Sequence, residues 1–96
     1  MISLDSQANK WLISGDILVD TANSMLVESV GLPMNDALQI DFSAVANTDT
    51  SAISLMMEWQ RRAIASNLKI TFVNLPEGLE SLTGLYGVAD FIPLSA

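Results

Sequence analysis

The sequence predicts an α/β domain whose mixed sheet has four or five strands, with helices mainly on one face. Three observations lead to this prediction. The chain has 96 residues and is 50% apolar, which supports one hydrophobic core but not two domains, so residues 1–96 are treated as one unit. Short strand-like segments alternate with segments of helical periodicity. Their order, ββαβαβα, contains strand–helix–strand units, which bring strands together in parallel and helices to one side.

The first elements are predicted to be a hairpin and a helix. After a polar start, residues 11–13 and 17–19 have the composition of two short strands, and Gly15 supplies the conformational freedom for a tight turn between them. Helical spacing begins near Asp20 or Thr21, either of which can be the N-cap, and a Gly-Leu-Pro run ends it. The predicted apolar face of this helix consists of Ala22, Met25, Leu26 and Val30.

The remaining flanking elements are two strands and a last helix. Residues 37–42 and 69–75 are predicted strands, the second of them rich in β-branched and aromatic residues. A Pro-Glu pair at 76–77 opens a helix, because proline costs nothing in the first turn, and Gly87 ends it. Residues 88–94 are predicted to form an edge strand or packed coil. The apolar stripe of the last helix is Leu79, Leu82, Leu85 and Tyr86.

The central helix is predicted in residues 47–66. Asp49 is a good N-cap, since its carboxylate accepts from free backbone N–H groups and suits the positive end of the helix dipole; Thr50 and Ser51 then open the helix. The apolar residues cover an arc of roughly 200°, about twice what a surface helix needs, so the helix should bury two sides, Trp59 and Met56 included. They are Ala52, Ile53, Leu55, Met56, Met57, Trp59, Ala63 and Ile64.

The polar arc of the central helix predicts where a partner would bind. Glu58 and Arg62 are spaced i, i+4 in the order that favours an exposed ion pair. The boundary between the polar and apolar arcs is the surface on which a partner would bind. The central helix is the second predicted helix of the chain, which we label α2. We call this boundary the α2 stripe, and it consists of Thr50, Ser54, Met57 and Arg61.

Composition excludes several classes of function. The chain has no Cys and no His, which removes disulfides, thiolate nucleophiles, the usual zinc ligands and the commonest general base. Eleven acidic residues against 4 basic ones give a formal net charge of −7, which opposes binding to nucleic acid or to an anionic membrane. No basic leader precedes an apolar core, and no apolar run approaches the ~20 residues of a membrane span, so we expect a cytosolic protein.

An enzyme is the weakest of the classes that composition leaves open. Asp41 and Asp49 could suggest paired carboxylates, but no second catalytic group accompanies them. We therefore expect no catalytic residue, no metal and no cofactor. The sequence also lacks a GxxxxGK[ST] phosphate loop, so ATP hydrolysis would have to belong to a partner.

The order of elements, together with two short motifs, resembles the STAS domain. This is the fold of bacterial anti-sigma-factor antagonists and of the cytoplasmic ends of sulfate transporters. The antagonists typically carry Asp-Ser-Ser-Gly-Leu-Gly at the start of the central helix, and their phosphorylated second hydroxyl corresponds to Ser51. This chain has neither glycine there. The motifs are Asp41-Phe42-Ser43 at the end of a strand and Asp49-Thr50-Ser51-Ala52-Ile53-Ser54 at the helix start.

Two further segments resemble the small STAS subunit of the Mla phospholipid-transport ABC complex, the MlaB or toluene-tolerance family. In that family the subunit sits on the cytoplasmic ATPase, and the residue directly after the helix-start Asp is essential, which corresponds to Thr50. The segments are Leu55-Met56-Met57-Glu58-Trp59 with Arg61-Arg62-Ala63, and Leu75-Pro76-Glu77 with Leu85-Tyr86-Gly87-Val88.

The resemblance implies a non-catalytic subunit that binds and stabilises or regulates the ATPase of an ABC transporter maintaining outer-membrane lipid asymmetry. It would be peripheral to the inner membrane through this partner. Separately, the net acidity and the wide apolar arc of the central helix predict that the isolated chain self-associates, because part of the surface around Met57 would lack its partner. The partner-binding residues are then Thr50, Ser51, Ser54, Met57 and Arg61. The alternative is a phospho-regulated anti-sigma-factor antagonist modified at Ser51. Without the resemblance, the favoured explanation is that Thr50 and Ser51 satisfy backbone donors at a helix start.

Overall fold

The computed structural model describes residues 1–85 and 87. In chain order its elements are β1 (Ile2–Asp5), β2 (Lys10–Ser14), α1 (Val19–Val30), β3 (Leu38–Ala44), α2 (Thr50–Ala65), β4 (Ile70–Val73) and α3 (Glu77–Leu85). None of the helices in residues 1–85 combines the length and hydrophobicity that crossing a bilayer requires.

The described strands form one mixed sheet of four in the order β1-β2-β3-β4. β1 is antiparallel to β2, whereas β2, β3 and β4 are parallel. The two crossovers, through α1 and through α2, each move one strand in the same direction, and right-handed connections then place both helices on the same face. The predicted fold class, a mixed α/β sheet with helices mainly on one face, is confirmed.

The core lies between this helical layer and the sheet, around two tryptophans. Trp11 of β2 and Trp59 of α2 are each 1% exposed, and their rings meet edge to face with centroids 5.6 Å apart. Trp59 also stacks on Phe72 of β4 at 6.5 Å. Met56 is fully buried, so the predicted orientation of the central helix is confirmed. Its buried arc is narrower than predicted, because Met57 and Ile64 are 37% and 66% exposed.

The predicted N-terminal hairpin is wrong in its strands. The chain does not have a polar start, because Ile2–Asp5 forms β1 and pairs with β2. Ile17 makes only an isolated parallel bridge with Thr48, and residues 18 and 19 lead into α1. Gly15 has a φ of +88°, so its conformational freedom is used, but to turn the chain from β2 towards α1. The strand-like composition of residues 17–19 reflects burial of Ile17 rather than a second strand.

The first helix begins one residue before the predicted cap region. Its N-cap is Leu18, whose N–H donates to Thr21 Oγ1 at 3.0 Å, so Thr21 assists the cap from inside the helix. Gly31 is the C-cap, as predicted. Val30 was placed on the buried face, but it is 73% exposed; Met25 and Ser29 are the buried residues of α1.

The other predicted elements are present with shifted ends. β3 is Leu38–Ala44 rather than 37–42, and β4 covers only Ile70–Val73 of the predicted 69–75. α3 begins at Glu77 and buries Leu79, but Leu85 is 79% exposed and is not part of a buried stripe. Tyr86 and the predicted edge strand at 88–94 lie outside the described residues.

Candidate functional site

One carboxylate joins the N-terminal ends of the two central helices. Asp49 Oδ1 accepts from the backbone N–H of Ser51 at 2.8 Å, which confirms it as the N-cap of α2. Its other oxygen, Oδ2, accepts from the N–H of Val19, the first residue of α1, at 3.0 Å. The hydrogen bond from the Ser51 backbone is the main reason that the pKa of the Asp49 carboxyl lies below its usual range. Asp49 therefore fixes α1 and α2 against each other.

The loops that precede these helices are also bonded to each other. The N–H of Ile17 donates to Asn47 O at 2.9 Å, and the N–H of Asp49 donates to Ile17 O at 3.2 Å. Asp16 Oδ1 accepts from both the backbone and the side-chain nitrogen of Asn47, at 3.2 and 3.1 Å. The loops before α1 and α2 are thus joined to each other by hydrogen bonds of both backbone and side-chain groups. A partner that binds there would meet a surface that is already ordered.

The structure brings the predicted partner-binding residues together on α2. Thr50, Ser54 and Arg61 are exposed, and Met57 is 37% exposed. Their spacing of four, three and four residues aligns them in one row along the helix. Ser51, the fifth predicted residue, is half-buried and turns towards α1 instead. The α2 stripe is therefore an exposed surface, with Ser51 beside it.

The two neighbouring arginines of α2 have different surroundings. Arg61 Nη1 contacts Glu58 Oε1 at 2.6 Å, so the predicted ion pair between Glu58 and Arg62 is wrong. Arg62 donates instead to two backbone carbonyls near the end of α1, those of Ser29 at 2.8 Å and Leu32 at 2.6 Å. A guanidinium near the C-terminus of a helix can donate to the carbonyls there and suits the negative end of the helix dipole, which accounts for the position of Arg62.

The carboxylate of Asp41 has its partners within the fold, which indicates a structural role. It is 7% exposed, and its Oδ1 accepts from Ser43 N at 2.8 Å and from Asn74 Nδ2 at 3.1 Å, while Lys10 Nζ lies 3.8 Å from Oδ2. Burial raises the pKa of this carboxyl, but the hydrogen bonds and the Lys10 charge outweigh it and lower the pKa. The two carboxylates that composition singled out, Asp41 and Asp49, thus have separate partners and do not form a pair.

One set of residues near the stripe, the lining of a groove, escaped sequence reasoning. The groove runs between α1 and α2 and has a volume of about 250 Å³. No cluster of three metal-ligating side chains occurs within residues 1–85 and 87. The groove is lined by Val19, Ala22, Asn23, Leu26, Ser51, Ser54, Leu55 and Glu58.

Comparison with protein families decides the relationship. The family model described as "Mlab, STAS domain" matches residues 1–94. The chain belongs to the STAS domain family. No curated protein is similar enough in sequence to count as a relative.

Solved STAS structures share this fold at low sequence identity. A Thermotoga maritima protein described as an anti-sigma factor antagonist has a TM-score of 0.75 and 10% identity, over 98% of this chain and 83% of that one. The anti-sigma factor antagonist SpoIIAA in its unphosphorylated form has a TM-score of 0.66 and 11% identity, over 100% of this chain and 86% of that one. At these identities the likeness concerns the fold alone.

In this STAS domain, the resemblance pointed to the first turn of α2 but not to α1. Val19 was predicted to end a strand, so nothing in the sequence placed it beside Ser51. The helical spacing of Ala22 and Leu26 was visible, but it predicted a buried face rather than the wall of an open groove. The Val19 N–H that Asp49 accepts lies 30 residues away along the chain, and local pattern carries no signal for such a contact.

Proposed function

We propose that this STAS domain is a non-catalytic subunit that binds the ATPase of an ABC phospholipid transporter and stabilises or regulates it. The transporter is one that maintains outer-membrane lipid asymmetry. The α2 stripe and Ser51 form the contact site, with Thr50 as its anchor. The observation that carries the proposal is the exposure of Thr50 on an ordered first turn, in a chain whose family model bears the Mlab description.

The geometry around Thr50 supports a contact role over a purely structural one. The side chain that caps the helix is that of Asp49, which accepts from Ser51 N. Thr50 makes none of the side-chain hydrogen bonds found in the described part of the chain, and its side chain is exposed. Its methyl and hydroxyl are therefore available to a partner.

The remaining stripe residues offer mixed chemistry suited to a protein surface. Met57 presents a flexible thioether that adapts to irregular partners. Arg61 is 71% exposed even though it contacts Glu58, so it can turn to an acidic group on the partner. Ser54 lies between them and the first turn. Methionine and arginine are both enriched at protein interfaces relative to the rest of the protein surface.

A phospho-regulated anti-sigma-factor antagonist is the second candidate. Both solved structures described above carry the antagonist description, and Ser51 stands at the position of their phosphorylated hydroxyl by the resemblance. Ser51 is half-buried, and Asp49 Oδ1 accepts from its backbone N–H. A phosphate there would lie beside the Asp49 carboxylate, which repels it, and at the N-terminus of α2, whose dipole attracts it. Charge alone therefore does not separate the two candidates. Mass spectrometry of the protein from cells separates the candidates, since stoichiometric phosphate on Ser51 favours the antagonist.

The proposal is tested by placing a negative charge at the anchor. In Thr50→Glu the fold should survive, because the helix dipole favours an acidic residue in the first turn. Binding to the ATPase should fail, because the charge would have to be desolvated against a packed surface. The matched control is Ser81→Glu, which adds the same charge at an exposed position of α3.

The measurements are the thermal midpoint of each free variant, co-purification of the ATPase and transport-linked ATP turnover. We expect Thr50→Glu to keep its midpoint and lose the ATPase, while Ser81→Glu keeps both. If Thr50→Glu binds like wild type, or if its midpoint collapses together with binding, the site assignment is wrong. The free chain should show no ATPase activity of its own.

A further inference from the structure

The groove between α1 and α2 has the size of a receptor for one side chain. Its volume is about 250 Å³, which is below the roughly 300–1,000 Å³ typical of pockets that enclose small molecules. Ala22 and Leu26 of α1 and Leu55 of α2 provide its apolar lining. Interfaces concentrate their binding energy where an apolar anchor fills such a depression.

Exposed apolar side chains lie on both of the helices that form the groove. Val19, which lines the groove, is 73% exposed, and Val27 and Val30 of the same helix are 64% and 73% exposed. Met57 and Ile64 are 37% and 66% exposed on α2. Single exposed apolar residues are ordinary on protein surfaces. Here five large ones lie on the two helices that form the groove, which marks the pair of helices as a surface that a partner covers.

The charge around the groove is acidic. Glu58 lines it, and exposed Asp20 follows directly after Val19. No lysine or arginine is among its lining residues. Of the two arginines of α2, Arg61 contacts the Glu58 carboxylate and Arg62 donates to carbonyls near the end of α1. A segment that places lysine or arginine beside its apolar anchor would complement this surface.

We propose that the groove receives one apolar side chain from a segment of the partner ATPase that carries lysine or arginine beside it. The interface then includes α1 as well as α2, and the groove selects the partner by shape and charge together. This proposal rests on the proposed function, and it extends the contact site from the α2 stripe to the wall formed by Val19, Ala22 and Leu26.

The shape of the groove is tested with Ala22→Leu, which fills it from the α1 wall. The matched control is Ser24→Leu, which adds the same side chain to an exposed position of α1 that does not line the groove. The purified chain is titrated with the purified ATPase, and the Kd and the thermal midpoint of each free variant are measured. We expect Kd to rise at least about tenfold for Ala22→Leu and to change less than about twofold for Ser24→Leu, with both midpoints near that of wild type.

The charge of the groove is tested with Glu58→Gln, with Glu80→Gln on α3 as a control of equal net charge. The association rate constant is measured from low to high salt. Glu58→Gln should associate several-fold more slowly at low salt and show a weaker salt dependence, because the groove loses a lining carboxylate and Arg61, left without its counter-charge, repels a basic segment. Glu80→Gln should behave like wild type.

The outcomes separate this inference from the proposed function. If Thr50→Glu abolishes binding while Ala22→Leu binds within twofold of wild type, the groove proposal is overturned and the proposed function stands. If Ala22→Leu and Ser24→Leu weaken binding equally, the effect is not specific to the groove and the proposal is also overturned. If the wild-type chain does not bind the ATPase, both fail. Loss of binding in Ala22→Leu alone, with an unchanged midpoint, supports the groove.

Discussion

Replacing Arg62 should destabilise the fold far more than replacing its neighbour Arg61. Arg62 is half-buried, donates to the carbonyls of Ser29 and Leu32, and places its guanidinium carbon 5.9 Å from the centre of the Trp11 ring. Arg61 makes one exposed contact with Glu58. The two residues are adjacent in sequence and identical in type, so each serves as the control for the other.

The expected magnitude follows from the contacts that are lost. A hydrogen bond to a charged group contributes about 1.5–3 kcal/mol, and the contact with Trp11 adds about 0.5–1 kcal/mol. Water would solvate the freed carbonyls in this half-buried position, which removes roughly half of the sum. We expect Arg62→Met to lower the free energy of unfolding by about 2–4 kcal/mol, whereas Arg61→Met should cost about 0–1 kcal/mol, as exposed pairs do.

Urea unfolding followed by tryptophan fluorescence measures this difference, because Trp11 and Trp59 are both buried. For a domain of this size the loss corresponds to a fall in the melting temperature of roughly 10–30 °C. Arg62→Lys should be intermediate, because an ammonium cannot reproduce the planar fork that spans two carbonyls. If Arg62→Met and Arg61→Met lie within about 0.5 kcal/mol of each other, the reasoning about the α1 C-terminus is refuted.

Three other predictions concern the backbone, the cap and the exposed surface. Ala37 has a φ of +63°, a conformation that costs an L-residue about 1–2 kcal/mol, so Ala37→Gly should stabilise the fold by up to about 1 kcal/mol in urea; loss of stability in Ala37→Gly would contradict this. The pKa of Asp49 is lowered in the fold, so its contribution is present above the usual Asp pKa and is lost as pH falls through the lowered value; wild type should exceed Asp49→Asn in stability at neutral pH, and a gap that persisted in strong acid would count against the cap. The isolated chain should self-associate at high concentration through the exposed part of α2, and Met57→Ser should reduce this in light scattering; a strictly monomeric wild type at millimolar concentration would disprove it.

Local pattern was sufficient for the central helix and for the order of elements from the first helix onwards. The periodicity of α2 predicts that Trp59 and Met56 face the core, and both are buried. Asp49 precedes the helix as a cap by a rule that needs no tertiary information. The same periodicity overestimated burial at Ile64, which is 66% exposed, because an apolar arc shows which residues prefer the core but not how far the neighbouring helices reach.

Contacts between distant segments account for the failures. β1 is only four residues long, and Ile2 is buried because Ile13 lies opposite it in the sheet, which the polar residues that follow do not signal. Ile17 has a strand-like neighbourhood, yet its bridge to Thr48 depends on the loop before α2. Local spacing predicted an ion pair between Arg62 and Glu58. Arg62 instead donates to carbonyls in and just after the last turn of α1, which lie about 30 residues away along the chain.

The candidate site was likewise predictable only in part from the sequence. Its α2 part could be proposed from the sequence, since Thr50, Ser54, Met57 and Arg61 share one row by helical geometry alone. The part contributed by α1 could not be proposed in this way, because Val19 comes close to Ser51 only where the N-terminal ends of both helices meet at Asp49. A prediction of this surface needs the tertiary structure.

The most direct test of the central claim is affinity capture of the tagged, unmodified chain from its native cells, followed by identification of the bound proteins. The account predicts that the ATPase of an ABC phospholipid transporter is captured in stoichiometric amount by wild type, equally by Ser81→Glu, and not by Thr50→Glu. Capture of an anti-sigma-factor kinase without the ATPase, with phosphate on Ser51, would contradict it.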